Sequence, residues 1–324
     1  MRWDEALQAS YADAILVLHR GNIVYERYFG VTKRHTPHMS FSMTKSYYGT
    51  LAAMLVEESL LDEKQTVAHY IPELVESGFG DATVRQILDM TTAIHYSEDY
   101  TDPKADVFAF ALAGGIFPRP TDYEGPDGYY AYLSTLRKEG EHGSQFVYKS
   151  VNTEVLGWLI ARVTGRNPVD VIQERIWGRL GSEEDAYILV DSHGTGWAAG
   201  GLNATLRDHA RFGEMMRLDG QFNGQQIVPK KVVQAIRYGA SKTDFAKAGY
   251  KTLPGWSYRN QWWVSHNRNG AFAARGVHGQ TIYIDPATEM VIVRLASHPL
   301  AANANIDNVS LPAYQAIADR LSGQ

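Results

Sequence analysis

Strand signals lie at the two ends of this chain and helical signals fill the long stretch between them, so the fold has to bring its termini together. Near the start, Ala14-Ile15-Leu16-Val17-Leu18 and Ile23-Val24-Tyr25-Glu26-Arg27-Tyr28 flank Gly21-Asn22, the pattern of a β-hairpin. Toward the end, strands are expected over 258–264, 281–285 and 290–295, separated by the turn Asn267-Arg268-Asn269-Gly270 and a turn at Pro286, and Pro312 opens a final helix. Between these ends a helix over 152–164 is stopped by Gly165, Asn167-Pro168 starts another, and a third covers 205–218 before Asp219-Gly220. Terminal strand groups separated by a helical middle point to one shared antiparallel sheet with an inserted helical part. The expected class is α/β in its α+β form, an antiparallel sheet flanked by helices plus a mainly helical domain. Residues 1–60 and 250–324 form the expected sheet domain, 61–249 the helical one, and the cleft between them is the favoured place for a ligand. The Pro- and Gly-rich stretch 114–128 reads as a surface loop rimming a site.

Composition narrows the function classes. The 324 residues carry a net charge of −5 and no block of like charge, so nucleic-acid binding is not expected. No cysteine is present, which removes disulfides, thiolate nucleophiles and Cys-based metal sites. No apolar run reaches the ~18 residues of a membrane span. The start, Met1-Arg2-Trp3-Asp4-Glu5, lacks the charged-then-apolar layout of a signal peptide, and the expectation is a cytoplasmic protein without a membrane partner. Neither cofactor nor metal is called for. The expected partner is a small molecule, and the oligomeric state is open.

The chemistry concentrates at Ser42-Met43-Thr44-Lys45, which opens a stretch with apolar residues at Leu51, Met54, Leu55 and Leu60. Residues i and i+3 share a helix face, so the Lys45 amine can reach the Ser42 oxygen and, if kept neutral, take its proton. A hydroxyl at a helix start also lies beside unpaired backbone N–H groups. The plain alternative is a serine N-cap with an exposed lysine one turn in. His38-Met39-Ser40-Phe41 reads as a short extended approach to this helix.

Two further segments carry candidates. In Tyr148-Lys149-Ser150-Val151-Asn152, a phenol beside a lysine ammonium can lose its proton more easily and act as a base; otherwise Tyr148 is one of 19 tyrosines, half-buried in a strand, and Asn152 is a helix N-cap. In Gly276-Val277-His278-Gly279-Gln280, glycines let a substrate approach a strand edge, and a backbone N–H at or beside Gln280 can be a second oxyanion donor. The alternative is a bulge in an ordinary strand.

These three segments, in this order, resemble the penicilloyl serine transferase superfamily of serine β-lactamases, D,D-peptidases and β-lactamase-like esterases. Thr83-Val84-Arg85-Gln86-Ile87-Leu88-Asp89-Met90-Thr91 and Gly200-Gly201-Leu202-Asn203-Ala204-Thr205 add to the likeness. Within it, Tyr148-Lys149-Ser150-Val151-Asn152-Thr153-Glu154-Val155-Leu156-Gly157-Trp158, Glu98-Asp99-Tyr100-Thr101-Asp102-Pro103-Lys104 and His278-Gly279-Gln280 are most similar to the 6-aminohexanoate-dimer hydrolases and their carboxylesterase relatives. The resemblance implies a β-lactamase/transpeptidase-like fold and a serine hydrolase that cleaves short amides or esters through an acyl-enzyme. It implies Ser42 as nucleophile, Lys45 as its proton acceptor and Tyr148 as the relay to the leaving group. The oxyanion donors would be the N–H groups of Ser42 and Gln280. Tyr100, Ser150, His278 and Gly279 fall at substrate-binding positions. Either Tyr148 or Ser150 is the residue nearest Lys45, and no glutamate is assigned to deacylation.

The wider family's Lys-Thr-Gly before the last strands is missing, with near misses at Lys242-Thr243-Asp244 and Lys251-Thr252-Leu253, and only Arg275 stands nearby as a cation. Efficient β-lactamase activity is therefore not expected. Carboxylesterase activity with little amidase, and a D,D-peptidase, are the alternatives within the fold, and a non-catalytic binding protein on this scaffold ranks last. A Ser-His-Asp hydrolase lacks Gly-x-Ser-x-Gly despite 11 histidines, and Gly239-Ala240-Ser241-Lys242-Thr243 matches only in part. Gly194-Thr195-Gly196-Trp197-Ala198-Ala199 fits a dinucleotide fingerprint superficially, without alternating strands and helices around it.

Overall fold

A computed structural model describes residues 3–323; Met1 and Arg2 of the opening segment, and Gln324, lie outside it. The chain enters through helix α1 (Trp3–Ala9), the hairpin β1 (Ala12–His19) and β2 (Asn22–Tyr28), and helix α2 (Met43–Glu57). Helix α3 (Val151–Thr164) and helices α4 (Leu206–Arg217) and α5 (Lys230–Tyr238) follow. The chain then returns to strands: β3 (Ser257–Arg259), β4 (Trp262–Val264), β5 (Phe272–Gly276), β6 (Gln280–Asp285) and β7 (Met290–Ala296), before the terminal helix α6 (Ala304–Leu321). Both strand groups build one seven-stranded antiparallel sheet in the order β2-β1-β7-β6-β5-β4-β3. The ends are joined by β1 on β7, with Val17 opposite Ile292 and Leu16 opposite Val293.

The period of two along β1 sends its side chains to two cores. Ile15 and Val17 meet Ala273, Tyr283 and Ile292 under α1 and α6, whose Leu7, Tyr314 and Ala318 complete that layer. Ala14, Leu16 and Leu18 face the larger core with Ile282, Val291 and Val293, covered by α4 and α2. Helices α4 and α5 lie within the 61–249 stretch expected to be the helical part, yet both pack on the sheet. No helix among the described residues is long and apolar enough to cross a membrane.

Several local expectations change. The stretch 258–264 is two strands, because Asn260 and Gln261 take φ values of 49° and 65° and close a tight hairpin. Strand β5, whose Ala-Ala-Arg-Gly composition carries no strand signal, forms because the sheet pairs it on both sides and buries every residue. Pro312 sits inside α6 and does not open it; the helix face that buries Tyr314 and Ala318 against the sheet outweighs one missing N–H. Asn152 is not a cap: it lies within α3, accepts from Thr92 Oγ1 at 2.7 Å and donates to Lys149 O at 3.1 Å.

Helix α2 runs through the middle of the molecule, buried from Met43 to Leu55, between the sheet and α3. Its close approach to the β3–β4 turn depends on Gly49, where a Cβ would stand 2.2 Å from Asn260 O and 2.5 Å from Gln261 Cβ. Gly49→Ala should therefore lower stability by about 1–3 kcal/mol despite the better helix propensity of alanine, read as a lower denaturation midpoint.

Candidate active site

Ser42 stands where an extended segment turns into α2. His38–Met39 pairs with Leu202–Ala204, Ser40 N donates to Leu202 O at 2.8 Å, and Phe41, at φ 44°, makes the sharp bend that precedes the serine. Thr44 Oγ1 secures the bend by donating to Phe41 O at 2.7 Å and accepting from Leu202 N at 3.2 Å. The Ser42 side chain makes no capping bond, and Lys45 is 1% exposed, so the serine-cap alternative with a solvated lysine does not hold.

Lys45 Nζ lies 2.9 Å from Ser42 Oγ and donates to Ala199 O at 2.7 Å. Burial lowers the Lys45 amine to about 8, against an upward pull from the carboxylates of Glu98 and Glu154. An amine so placed has one N–H fixed on a carbonyl and can turn its lone pair toward the serine hydroxyl. The turn that supplies this carbonyl belongs to the segment with the dinucleotide-like glycines. It runs from an antiparallel strand pair onto Lys45, with Trp197 folded over Gly200 and Gly201, and no βαβ unit surrounds it.

Tyr148 stands beside the Ser42–Lys45 pair, with its ring centroid 5.2 Å from Lys45 Nζ. It lies in a loop before α3, not in a strand, packed on Trp263 at 5.4 Å and edge-on to Tyr258. Desolvation in this aromatic cluster, reinforced by the negative charge of Glu98, holds its phenol well above the ordinary range. The eased deprotonation expected from a neighbouring lysine is thus overturned: the phenol is held in its neutral O–H form.

Ser150 is engaged elsewhere. Its hydroxyl and N–H donate to Glu98 at 2.6 Å and 2.5 Å, and Tyr100 Oη donates to the same carboxylate at 3.0 Å. Glu98, not anticipated from the sequence, is thus the hub that gathers Ser150 and Tyr100 beside Tyr148.

The 276–280 bend meets the serine through Gly276, where a Cβ would stand 2.6 Å from Ser40 O and 3.1 Å from Ser42 N. The rest of the bend is held by the protein itself. Gly279, at φ 98°, donates to Asn303 Oδ1 and accepts from Arg294, each at 3.1 Å. His278 is bonded by N–H to Ala301 O and by Nδ1 to His298 O at 2.7 Å, and its ring rests on Phe41 at 5.2 Å. Gln280 is fully buried, pairs with Gly276 in the ladder, and spends its side chain on Ala296 N and O at 2.9 Å and 2.5 Å. Gly279 through its backbone and Gln280 through its side chain therefore brace the bend. Among the described residues, the N–H groups of Ser42 and Val277 carry no hydrogen bond, and they flank Gly276.

The remaining candidates have other partners. Arg275 is 7% exposed, paired with Asp307 and stacked over Trp256 and Trp263, while Thr252 Oγ1 donates to the same Asp307 at 2.8 Å. Buried His209 bonds Ser40 Oγ and Tyr47 Oη, both at 2.9 Å, and burial lowers it to about 3; the inaccessible Ser40 beside it is no nucleophile. The 114–128 loop folds back through Gly128 N on Ala113 O and meets the 191–193 turn through Asp127. No group of three or more His, Cys, Asp or Glu among the described residues could hold a metal ion.

The Beta-lactamase family model matches residues 3–310. The chain belongs to that family. It is 36% identical over 297 residues, 91% of this chain and 75% of the relative, to the 6-aminohexanoate-dimer hydrolase of Paenarthrobacter ureafaciens. A solved Bacillus anthracis structure assigned as a 6-aminohexanoate-dimer hydrolase superposes with a TM-score of 0.92 at 36% identity, covering 100% of this chain and 83% of that one. EstCE1, a hydrolase with promiscuous acyltransferase activity, shares the fold alone, at a TM-score of 0.72 and 16% identity over 94% of each chain. The protein is accordingly a serine hydrolase of the β-lactamase fold.

Because Gly276 has no room for a methyl beside Ser42 N, Gly276→Ala should cut kcat/KM for a p-nitrophenyl ester by ~10²-fold or more while circular dichroism stays native.

Proposed function

We propose that the enzyme cleaves short amides and esters through an acyl-enzyme on Ser42. The observation that carries this reading is the desolvated Lys45 amine, 2.9 Å from the serine oxygen and steered by Ala199 O. The Ser42 proton passes to Lys45 Nζ as Oγ bonds to the carbonyl carbon, and the carbonyl electrons move onto oxygen. That oxyanion is held by the N–H of Ser42 and, in place of Gln280, the N–H of Val277. On collapse the carbon–nitrogen or carbon–oxygen bond breaks, the leaving group takes the Tyr148 proton, and the Lys45 ammonium restores it. Water then attacks the acyl carbon, its proton passes to Lys45, and Ser42 departs with a proton.

A neutral Tyr148 suits amides, because an amine must be protonated to leave, whereas an alkoxide or phenolate leaves with less help. The 36% identity to a 6-aminohexanoate-dimer hydrolase favours a short linear amide of that kind, with Tyr100 at the rim held by Glu98. Arg275, committed to Asp307 within an aromatic cage, leaves no free cation there for a penicillin carboxylate. A cytoplasmic location and a small-molecule substrate, without a nucleic-acid or membrane partner, belong to the same proposal.

A panel of short p-nitrophenyl esters, 6-aminohexanoate dimer and a chromogenic cephalosporin should show turnover of the first two and little of the third. Ser42→Ala should abolish both activities and the labelling of Ser42 by a fluorophosphonate, and full activity in that variant would end the reading. Val277→Pro, which deletes one N–H after a Gly276 whose extended backbone (φ −127°, ψ 154°) accepts a following proline, should lose ~10²- to 10³-fold in kcat against Val277→Ala.

A further inference from the structure

Glu154 is a carboxylic acid on the buried side of α3, 1% exposed, and takes no part in the steps above. Its Oε1 accepts from Ala199 N at 2.8 Å and its Oε2 from Ala198 N at 3.3 Å. Both oxygens thus hold the same turn whose next outward group, Ala199 O, receives the Lys45 N–H at 2.7 Å. The ends of the turn are anchored on the neighbouring strand, where Trp197 N donates to Leu189 O at 2.8 Å and Gly201 O accepts from Leu189 N at 3.0 Å, while Gly200 N and Gly201 N bond back to Trp197 O; between these anchors the N–H groups of Ala198 and Ala199 rest on Glu154. A shift of the Ala199 peptide would leave the Lys45 amine free to rotate its lone pair away from Ser42.

We propose that Glu154 is a positioning residue for the proton acceptor, fixing the Ala199 carbonyl that orients the Lys45 amine and setting through its charge the pH at which that amine becomes free. The proposal rests on Ser42 and Lys45 acting as described above. Glu154 also forms part of the wall of an open cleft of about 440 Å³ between α3 and the 193–196 turn, on the far side of the Ala199 peptide from Lys45.

The groups that face this pair come from every neighbouring element. Lys45 is met by Glu98 from the 95–100 loop, by Ser42, and by Tyr148 from the loop before α3. Glu154 is met by Tyr48 from α2, Tyr129 and Tyr130 from the helix Tyr129–Thr135, and Asp191. Tyr48 Oη is buried without a hydrogen-bond partner, so it supplies no competing donor to the carboxylate. Desolvation raises Glu154 to about 8, close to the lowered Lys45, so the two groups titrate together over one range and act as a coupled pair. The sign follows. Anionic Glu154 stabilises the Lys45 ammonium, so removing the charge lets the amine lose its proton at lower pH. Only the free amine accepts the serine proton, and the rate rises with pH through this range.

The test compares pH profiles of kcat/KM on a p-nitrophenyl ester, and of the pseudo-first-order rate of Ser42 fluorophosphonate labelling, for wild type, Glu154→Gln and Glu154→Asp. Glu154→Gln should shift the rising limb to lower pH by about half a unit or more and reduce the plateau roughly 10-fold, because an amide offers one acceptor where two N–H groups need one each. Glu154→Asp, which keeps the charge but shortens the reach, should lose plateau rate with its limb unmoved. A Gln variant with its limb at the wild-type pH, or an Asp variant whose limb moves as far as that of Gln, would overturn the proposal. If Glu154→Gln does not fold, as judged by circular dichroism, Glu154→Asp with full plateau activity overturns it alone. Failure here leaves Ser42→Ala inactive and unlabelled, whereas failure of the hydrolase mechanism leaves Ser42→Ala active, and the two outcomes are distinct.

Discussion

An amine buried in protein and still able to accept a proton is the interaction on which the rest of this molecule depends. Taking Lys45 out of water disfavours its ammonium, but the same burial costs stability unless each N–H finds an acceptor. The structure answers with Ala199 O and Ser42 Oγ, and it keeps Glu98 and Glu154 near enough to moderate the loss of charge. Much of the fold serves that setting. Helix α2 is covered along thirteen residues, from Met43 to Leu55, and the sheet, α3 and the 197–201 turn close on it from different directions. The arrangement is a compromise in which a costly burial is offset by packing on both sides.

The second constraint is room. A Cβ on Gly276 would stand 3.1 Å from Ser42 N, so the helix start and the strand end meet with no side chain between them. Phe41 takes a left-handed backbone to turn the helix start, and Gly276 brings a strand end within contact of it. Polar side chains stiffen the far side: half-buried Asn303 bonds Gly276 O and Gly279 N, buried Arg294 bonds Gly279 O, and buried Gln280 clamps Ala296. These residues hold the backbone of the bend against the helix start.

How much of this is legible in the sequence depends on the kind of information involved. The hairpin at the start, strands β6 and β7, and helices α3 and α4 follow from local periodicity and stop signals, and Ser42 with Lys45 follows from a spacing that a helix fixes. Strand β5 is invisible because its residues become a strand only when neighbours pair with them, and the division of 258–264 depends on two residues in left-handed conformations. Tyr148 is found by motif, but its protonation state is set by Trp263, Tyr258 and Glu98, which come from distant parts of the chain. The same holds for the 276–280 bend: its contact with Ser42 runs through Gly276 and is set by how Asn303, Arg294 and Gln280 pin the bend. Glu98 lies inside the Glu-Asp-Tyr segment, yet nothing local says that it gathers Ser150 and Tyr100. Glu154 does carry a signal, an acid among Val151, Val155 and Trp158 in an apolar helix, a placement that only a satisfied carboxyl can occupy.

The pairing of β1 between β2 and β7 has a consequence for synthesis. A nascent chain that has emerged through α2 already carries the serine and lysine, but β1 then has one partner and an exposed edge, and the bend that completes the pocket has not yet been made. The last strands must arrive before that edge is closed. Maturation of the reactive centre therefore waits on strands that lie far downstream of the serine, and a polypeptide that stops short of them holds Ser42 and Lys45 without the bend that faces them.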